Sequence, residues 1–192
     1  MNNIIVVLSG PSGAGKGTIY KEIAKEGNTY RYVSCTTRSP REGEVEGFDY
    51  EYISKQEFKE REDKGFFLET SLYDSNYYGT PIPDLDKHYP NDIFFDVNVE
   101  GGINIKKAFP NAILIYIIPP TIEELIKRMG DRGKGRIEIA KKEVEVAKKV
   151  YDYLVVNDNL QEAIKQVKKI LEVERINKMK NSSNQDFLKN YY

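Results

Sequence analysis

Apolar and polar positions alternate along this chain on two different periods. A continuous apolar, β-branched run at residues 4–8 (IIVVL) is the pattern of a strand buried on both faces, and similar runs recur at 30–34 (YRYVS), 93–97 (IFFDV), 112–118 (AILIYII) and 153–156 (YLVV). Between and after them, helical spacing of apolar residues predicts helices over 16–25, 103–108, 121–129, 137–149 and 160–178. Strands that alternate with helices predict an α/β fold with a parallel sheet flanked by helices. One region breaks the alternation. The segments FDYEYI (48–53), FFLETSL (66–72) and YYG (77–79) read as short strands of period two, and SKQE (54–57) opens a helix with a capping box. Residues 34–82 are therefore expected to form a small inserted α+β lobe, with residues 1–33 and 83–180 as the core of a single domain. The tail, 181–192 (NSSNQDFLKNYY), is polar and aperiodic and is expected to be mobile. No internal repeat and no linker between independent domains is visible.

Composition narrows the partners more than the fold. With 192 residues, 40% of them hydrophobic, the chain can bury a sizeable core. Lys+Arg 29 against Asp+Glu 30 leaves no global electrostatic case for nucleic acid, so any basic site must be local. There is no basic-then-apolar secretory pattern and no apolar run long enough to span a bilayer, and Cys35 is the single cysteine; the expectation is a soluble cytoplasmic protein without a membrane partner. Cys35 reads as a packed thiol and His88, the one histidine, as a surface loop residue. No His/Cys cluster with metal-ligand spacing exists.

The first strand runs directly into SGPSGAGKGT (9–18), a phosphate-binding loop pattern spanning Gly10, Pro11, Ser12, Gly13, Ala14, Gly15 and Lys16. Glycines let backbone N–H groups converge on a polyphosphate, the following helix presents its positive end, and Lys16 adds a mobile cation. The alternative, a glycine-rich turn with an exposed lysine, leaves the preceding buried strand unexplained. The strict pattern has Ser or Thr directly after the lysine; here Gly17 intervenes and the hydroxyl comes at Thr18. Thr18 is thus a candidate for a phosphate oxygen or for a metal, and direct ligation stays open.

A second stretch, SCTTRSPREGEVEGFDYEY (34–52), sets Arg38 and Arg41 among hydroxyls and tyrosines, with Pro40, Gly43 and Gly47 arguing against a long helix. Charges in such a loop are often only a solvated surface. Taken with FLET (67–70), YYGTP (77–81), FDVNVEGG (95–102) and VVND (155–158), in that order, the chain resembles the guanylate kinases, a nucleoside monophosphate kinase family, over about residues 4–171.

This resemblance implies an enzyme of purine nucleotide metabolism and GMP recycling, transferring a phosphoryl group in line from ATP to GMP, with dGMP as a further acceptor, Mg2+ accompanying ATP, and a monomeric or homodimeric state. It implies that Ser34, Arg38, Arg41, Tyr50 and Tyr78 contact the GMP acceptor, the two arginines and two phenols gathering around its phosphate, while Glu69 and Thr80, beside Gly79, read guanine. The chemistry agrees: guanidinium forks and phenol donors suit a phosphate dianion, and a carboxylate matches the N1–H and exocyclic amine that adenine does not offer as a pair. Lys16 and the arginines would carry catalysis, and Asn157 would lie beside the donor adenine. Asp96, at the end of a buried strand, would act through water on magnesium or orient Lys16. Two departures stand out. Asn98, counted with Asp96 among the GMP-binding residues, occupies a usually acidic position, keeping hydrogen-bonding capacity toward guanine or Arg38 but losing a charge. The lid, about residues 130–140, is shorter between Arg132 and Arg136 than the family pattern; Arg132 is the first candidate for the donor phosphates and Arg136 the second, with Lys134 expected to face solvent. Domains of this family that bind phosphorylated peptides in scaffold proteins carry degraded phosphate loops, unlike the intact loop here.

Overall fold

The computed structural model describes residues 3–130 and 136–189, and side chains as far as residue 180. Its centre is a five-stranded sheet of β1 (Ile5–Ser9), β2 (Thr29–Tyr32), β7 (Asp92–Asp96), β8 (Ile113–Ile118) and β9 (Tyr153–Val156), in the spatial order β2-β7-β1-β8-β9. Every neighbouring pair is parallel. Alternation along β1 explains how one strand serves two cores. Val6 and Leu8 pack on one face with Ile19 and Ile23 of helix α1 (Lys16–Ala24) and with Ile164, Val167 and Leu171 of α6 (Leu160–Lys189). Val7 turns to the other face, against Ile105 of α3 (Val99–Ala108) and Ala147 of α5 (Ile137–Val150).

After β2 the chain leaves this sheet and builds a second one from β3 (Cys35–Thr36), β4 (Glu51–Tyr52), β5 (Phe67–Tyr73) and β6 (Asn76–Pro81), in the order β4-β3-β6-β5. Helix α2 (Lys55–Asp63) begins at Ser54, whose hydroxyl accepts from the Glu57 N–H at 3.0 Å, as the capping box predicts. Phe58 seats the helix by stacking on Phe67 and Tyr77. Asp74 and Ser75, both at positive φ, close the β5–β6 hairpin with the backbone twist a two-residue turn requires. The chain then re-enters the large sheet with β7, next to β2. The two-residue strand β3 is too short to show a period and is a structural finding alone.

Helix α4 (Ile122–Met129) completes the set. Two helices are longer than their apolar periodicity. Helix α3 starts at Val99 rather than 103, and α6 is helical to Lys189 where the pattern ended at 178. No Gly or Pro interrupts residues 179–189, and adding residues to an existing helix costs little compared with nucleating one. Residues 131–135, and with them Arg132 and Lys134 of the expected lid, lie outside the described residues.

Candidate active site

At the carboxyl end of β1 the chain turns through Gly10, Gly13 and Gly15, all at positive φ, before α1 starts at Lys16. A Cβ on Gly10 would sit 2.2 Å from the Ile117 carbonyl oxygen, so only glycine lets this loop cross the adjacent strand. Lys16 Nζ donates to the Gly10 carbonyl at 2.6 Å and lies 3.4 Å from that of Pro11. Ala14 is buried; its carbonyl accepts from the Asn157 side-chain amide at 2.8 Å, while the Asn157 carbonyl accepts from Arg128 at 2.9 Å. Asn157 therefore stands behind the loop and braces it. Ser12 and Gly10 line a cleft with Lys16, and Thr18 is exposed on the first turn of α1.

The opposite wall of that cleft is the small lobe. Ser34, Arg38, Arg41, Tyr50, Glu69 and Tyr78, drawn from three separate stretches of sequence, all face it. Tyr50 and Tyr78 meet edge to face at 5.8 Å. Burial, reinforced by nearby Asp96, pushes the Tyr50 phenol far up, so it stays protonated and able to donate. Glu69 is buried: Oε1 accepts from the Thr80 hydroxyl at 2.5 Å, and that hydroxyl lies 3.2 Å from Ser34 Oγ. Its second oxygen, Oε2, is buried with no hydrogen-bond partner among the described residues. Burial raises the Glu69 pKa against the opposing pull of Thr80. Gly79 holds its place in β6 under Phe67, with no room for a Cβ, and supports the wall from behind.

Asp96 and Asn98 sit on the floor at the end of β7. Asp96 pairs with Arg31 at 3.0 Å, not with Lys16. Burial disfavours the Arg31 charge, but Asp96 and Asp49 outweigh it and hold its pKa above the ordinary value. Asn98 caps α3, its Oδ1 accepting from the Gly101 N–H at 2.8 Å, and its amide donates to Ser71 Oγ at 3.1 Å. Arg136 reaches the cleft from the start of α5 and forms an ion pair with Asp74 at the tip of the β5–β6 hairpin. No motif in the sequence singles out Arg31, Glu44, Ser71, Tyr73 or Glu143. Of these Ser71, Tyr73 and Glu143 line the cleft, and the only signal in the chain was that Glu44 follows Arg41 by three residues. Cys35 is a packed thiol whose pKa burial raises to about 12. Among the described residues no three His, Cys, Asp or Glu side chains group as a metal site.

One cleft thus joins a phosphate loop to a second wall that offers cations, phenols and one unpaired buried carboxylate oxygen. It can hold two anionic groups face to face and read a base by its donors. Comparison with known proteins points the same way. The family model described as Guanylate kinase matches residues 2–174. The guanylate kinase of Oceanobacillus iheyensis is 39% identical over 183 residues, covering 90% of this chain and 88% of that one. That of Clostridium tetani is 38% identical over 192 residues, covering 93% and 91%. The crystal structure of guanylate kinase from Anaplasma phagocytophilum superposes with a TM-score of 0.77 at 28% identity, covering 90% of this chain and 86% of that chain.

Proposed function

This chain belongs to the guanylate kinase family, and from that premise we propose how its own residues divide the work. The reaction is ATP + GMP to ADP + GDP. The 10–16 loop binds the donor phosphates through its N–H groups, and Lys16 exchanges the Gly10 and Pro11 carbonyls for phosphate oxygens. Asn157 acts on the donor site through the loop that it braces. Arg41, Arg38, Tyr50 and Tyr78 hold the acceptor phosphate, and Glu69, backed by Thr80 with Ser34 beside that hydroxyl, holds the guanine edge. Arg136 supplies a cation from the lid side, joined in this proposal by Arg132.

An oxygen of the GMP phosphate attacks the γ-phosphorus as the bond to the β-γ bridging oxygen breaks, and ADP departs with that oxygen. No protein nucleophile is needed. The protein's part is positioning the two phosphates and neutralising charge that shifts onto the bridging oxygen. Asp96 lies on the floor between the walls and Thr18 at the head of α1. These two oxygens, Asp96 already paired with Arg31 and Thr18 exposed, are the groups that would meet a Mg2+ arriving on ATP, directly or through water. Such an ion would neutralise the β- and γ-phosphates. None of the assigned contacts uses the ribose, so dGMP is included as an acceptor. A cytoplasmic location belongs to the same proposal, supported by the nucleotide substrates and the single cysteine; no helix among the described residues is long and apolar enough to cross a membrane.

The observation that carries the acceptor assignment is Glu69 Oε2, buried beside the cleft without a partner. Leaving such an oxygen unpaired costs on the order of 1–3 kcal/mol, which guanine's two donors recover and adenine's bare ring nitrogen does not. Glu69→Gln should lower kcat/KM for GMP by roughly tens to hundreds of times and for AMP much less. The GMP-to-AMP ratio of kcat/KM in both proteins tests this, and an unchanged ratio would remove Glu69 from base reading.

A further inference from the structure

Arg38 spends its fork inside its own loop. Its NH1 and NH2 lie 2.8 and 2.9 Å from the two oxygens of Glu44, leaving both terminal nitrogens engaged by a carboxylate. Glu44 Oε2 also accepts from the Arg41 backbone N–H at 2.7 Å and from the Tyr52 hydroxyl at 2.8 Å. Four donors therefore converge on one side chain, and the Arg38 and Glu44 side chains are only 11% and 17% exposed. The guanidinium lies over the rings of Tyr50 and Tyr52, at 5.3 and 5.7 Å from their centres. Meanwhile Arg38 Nε is buried and has no partner among the described residues.

We infer that Glu44, with Tyr52 behind it, is a positioning residue for the acceptor phosphate: it locks Arg38 and the 38–44 turn so that the Nε edge of Arg38 remains for the phosphate beside Arg41. This rests on the acceptor site proposed above. The competing picture makes Glu44 an internal stand-in for the phosphate, displaced when GMP arrives. Displacement from Arg38 would strip a carboxylate of two of its four donors and leave it next to a dianion, whereas Arg38 already has a donor without a partner. Burial opposes the Glu44 charge, but Arg38, the Arg41 N–H and Tyr52 hold its pKa down at about 2, so the lock stays ionised at any working pH. Burial and Glu44 push the Tyr52 phenol up to about 12, which keeps it a donor.

Glu44→Gln keeps the shape but turns an NH2 toward Arg38's own donors. With the full chain and both substrates varied in turn, it should raise the KM for GMP by about tenfold or more, while kcat at saturating GMP stays within about threefold and the KM for ATP within about twofold. Tyr52→Phe removes one support and should raise the GMP KM by roughly two- to fivefold, again with ATP unaffected. If Glu44→Gln does not fold, Tyr52→Phe decides alone. An unchanged or lowered GMP KM would overturn the inference in favour of a stand-in, and equal losses for GMP and ATP would overturn it in favour of a merely structural contact. Those outcomes are read against a wild type that phosphorylates GMP; a wild type that does not would overturn the acceptor site itself, and this inference with it.

Discussion

Glu69 keeps its two oxygens in different company, one on Thr80 and one with no partner among the described residues, and that asymmetry has a pH signature. In the proposed acceptor site guanine offers donors, so GMP would need the ionised carboxylate, while burial raises the Glu69 pKa above its ordinary value of 4.5. The ionised form is therefore present at high pH and lost as pH falls through that raised pKa. On acidification, kcat/KM for GMP should decline from a higher pH in the wild type than an ordinary glutamate would dictate. The second ionisation of GMP's own phosphate, near about pH 6, adds a limb common to every variant. The test is the difference between wild-type and Glu69→Gln profiles over about pH 5 to 8; superimposable shapes would show that Glu69 does not titrate in acceptor binding. Residue type was legible in FLET, but which oxygen is left over was not, because that depends on the Thr80 hydroxyl facing it across two strands.

Helix α3 connects the floor of the cleft to the sheet through its first residue pair. Asn98 caps the helix and at the same time reaches Ser71. An aspartate at this position would cap equally well and favour the helix's positive end, and the Ser71 hydroxyl can turn to donate to it. Asn98→Asp should thus retain stability within about 0.5 kcal/mol and activity within a few-fold, whereas Asn98→Ala should lose about 1 kcal/mol. Urea midpoints read the first quantity, and turnover at saturating substrates the second. A large loss of activity in a stable aspartate variant would make the neutral amide a requirement of this site. The helix start was hidden in the sequence because Gly101 and Gly102 have poor helix propensity. They are there for close approach: a Cβ on Gly102 would meet the Tyr151 hydroxyl at 2.2 Å, and one on Gly101 would come within 3.0 Å of Glu69 Oε2.

Across the whole molecule, α6 ties the last part of the chain to the first. Arg175 Nε donates to Asp92 Oδ2 at 2.9 Å, the other Asp92 oxygen accepts from the Ile4 N–H at 2.9 Å, and Lys178 reaches the Asn3 carbonyl. Asp92 is buried, so removing its cation leaves a desolvated charge held by fewer donors. Arg175 is itself 41% exposed, which moderates the loss. Arg175→Ala should cost about 1–3 kcal/mol of stability with kcat unchanged at ambient temperature, since the contact lies far along the sheet from the cleft. Urea unfolding and a turnover assay on the same preparation would separate the two. A drop in kcat without a shift in the midpoint would contradict this account.

What the sequence determined by itself was whatever short-range pattern carries: β-branched runs that must be buried on both faces, helices of fitting period, a glycine loop between the first strand and its helix, and a loop whose arginines and tyrosines suit a phosphate. These are local because strand and helix periods, turn chemistry and capping act within a few residues. Partner choice was decided only in three dimensions. Asp96 finds Arg31 from 65 residues away, Arg136 finds Asp74 from 62, and Asn157 finds Ala14 from 143. Each pairing exists because parallel strands bring their carboxyl ends to one edge and the inserted lobe folds over that edge. A charged or polar side chain settles on whichever complementary group the packed backbone places within about 3 Å, and no spacing along the chain encodes that distance.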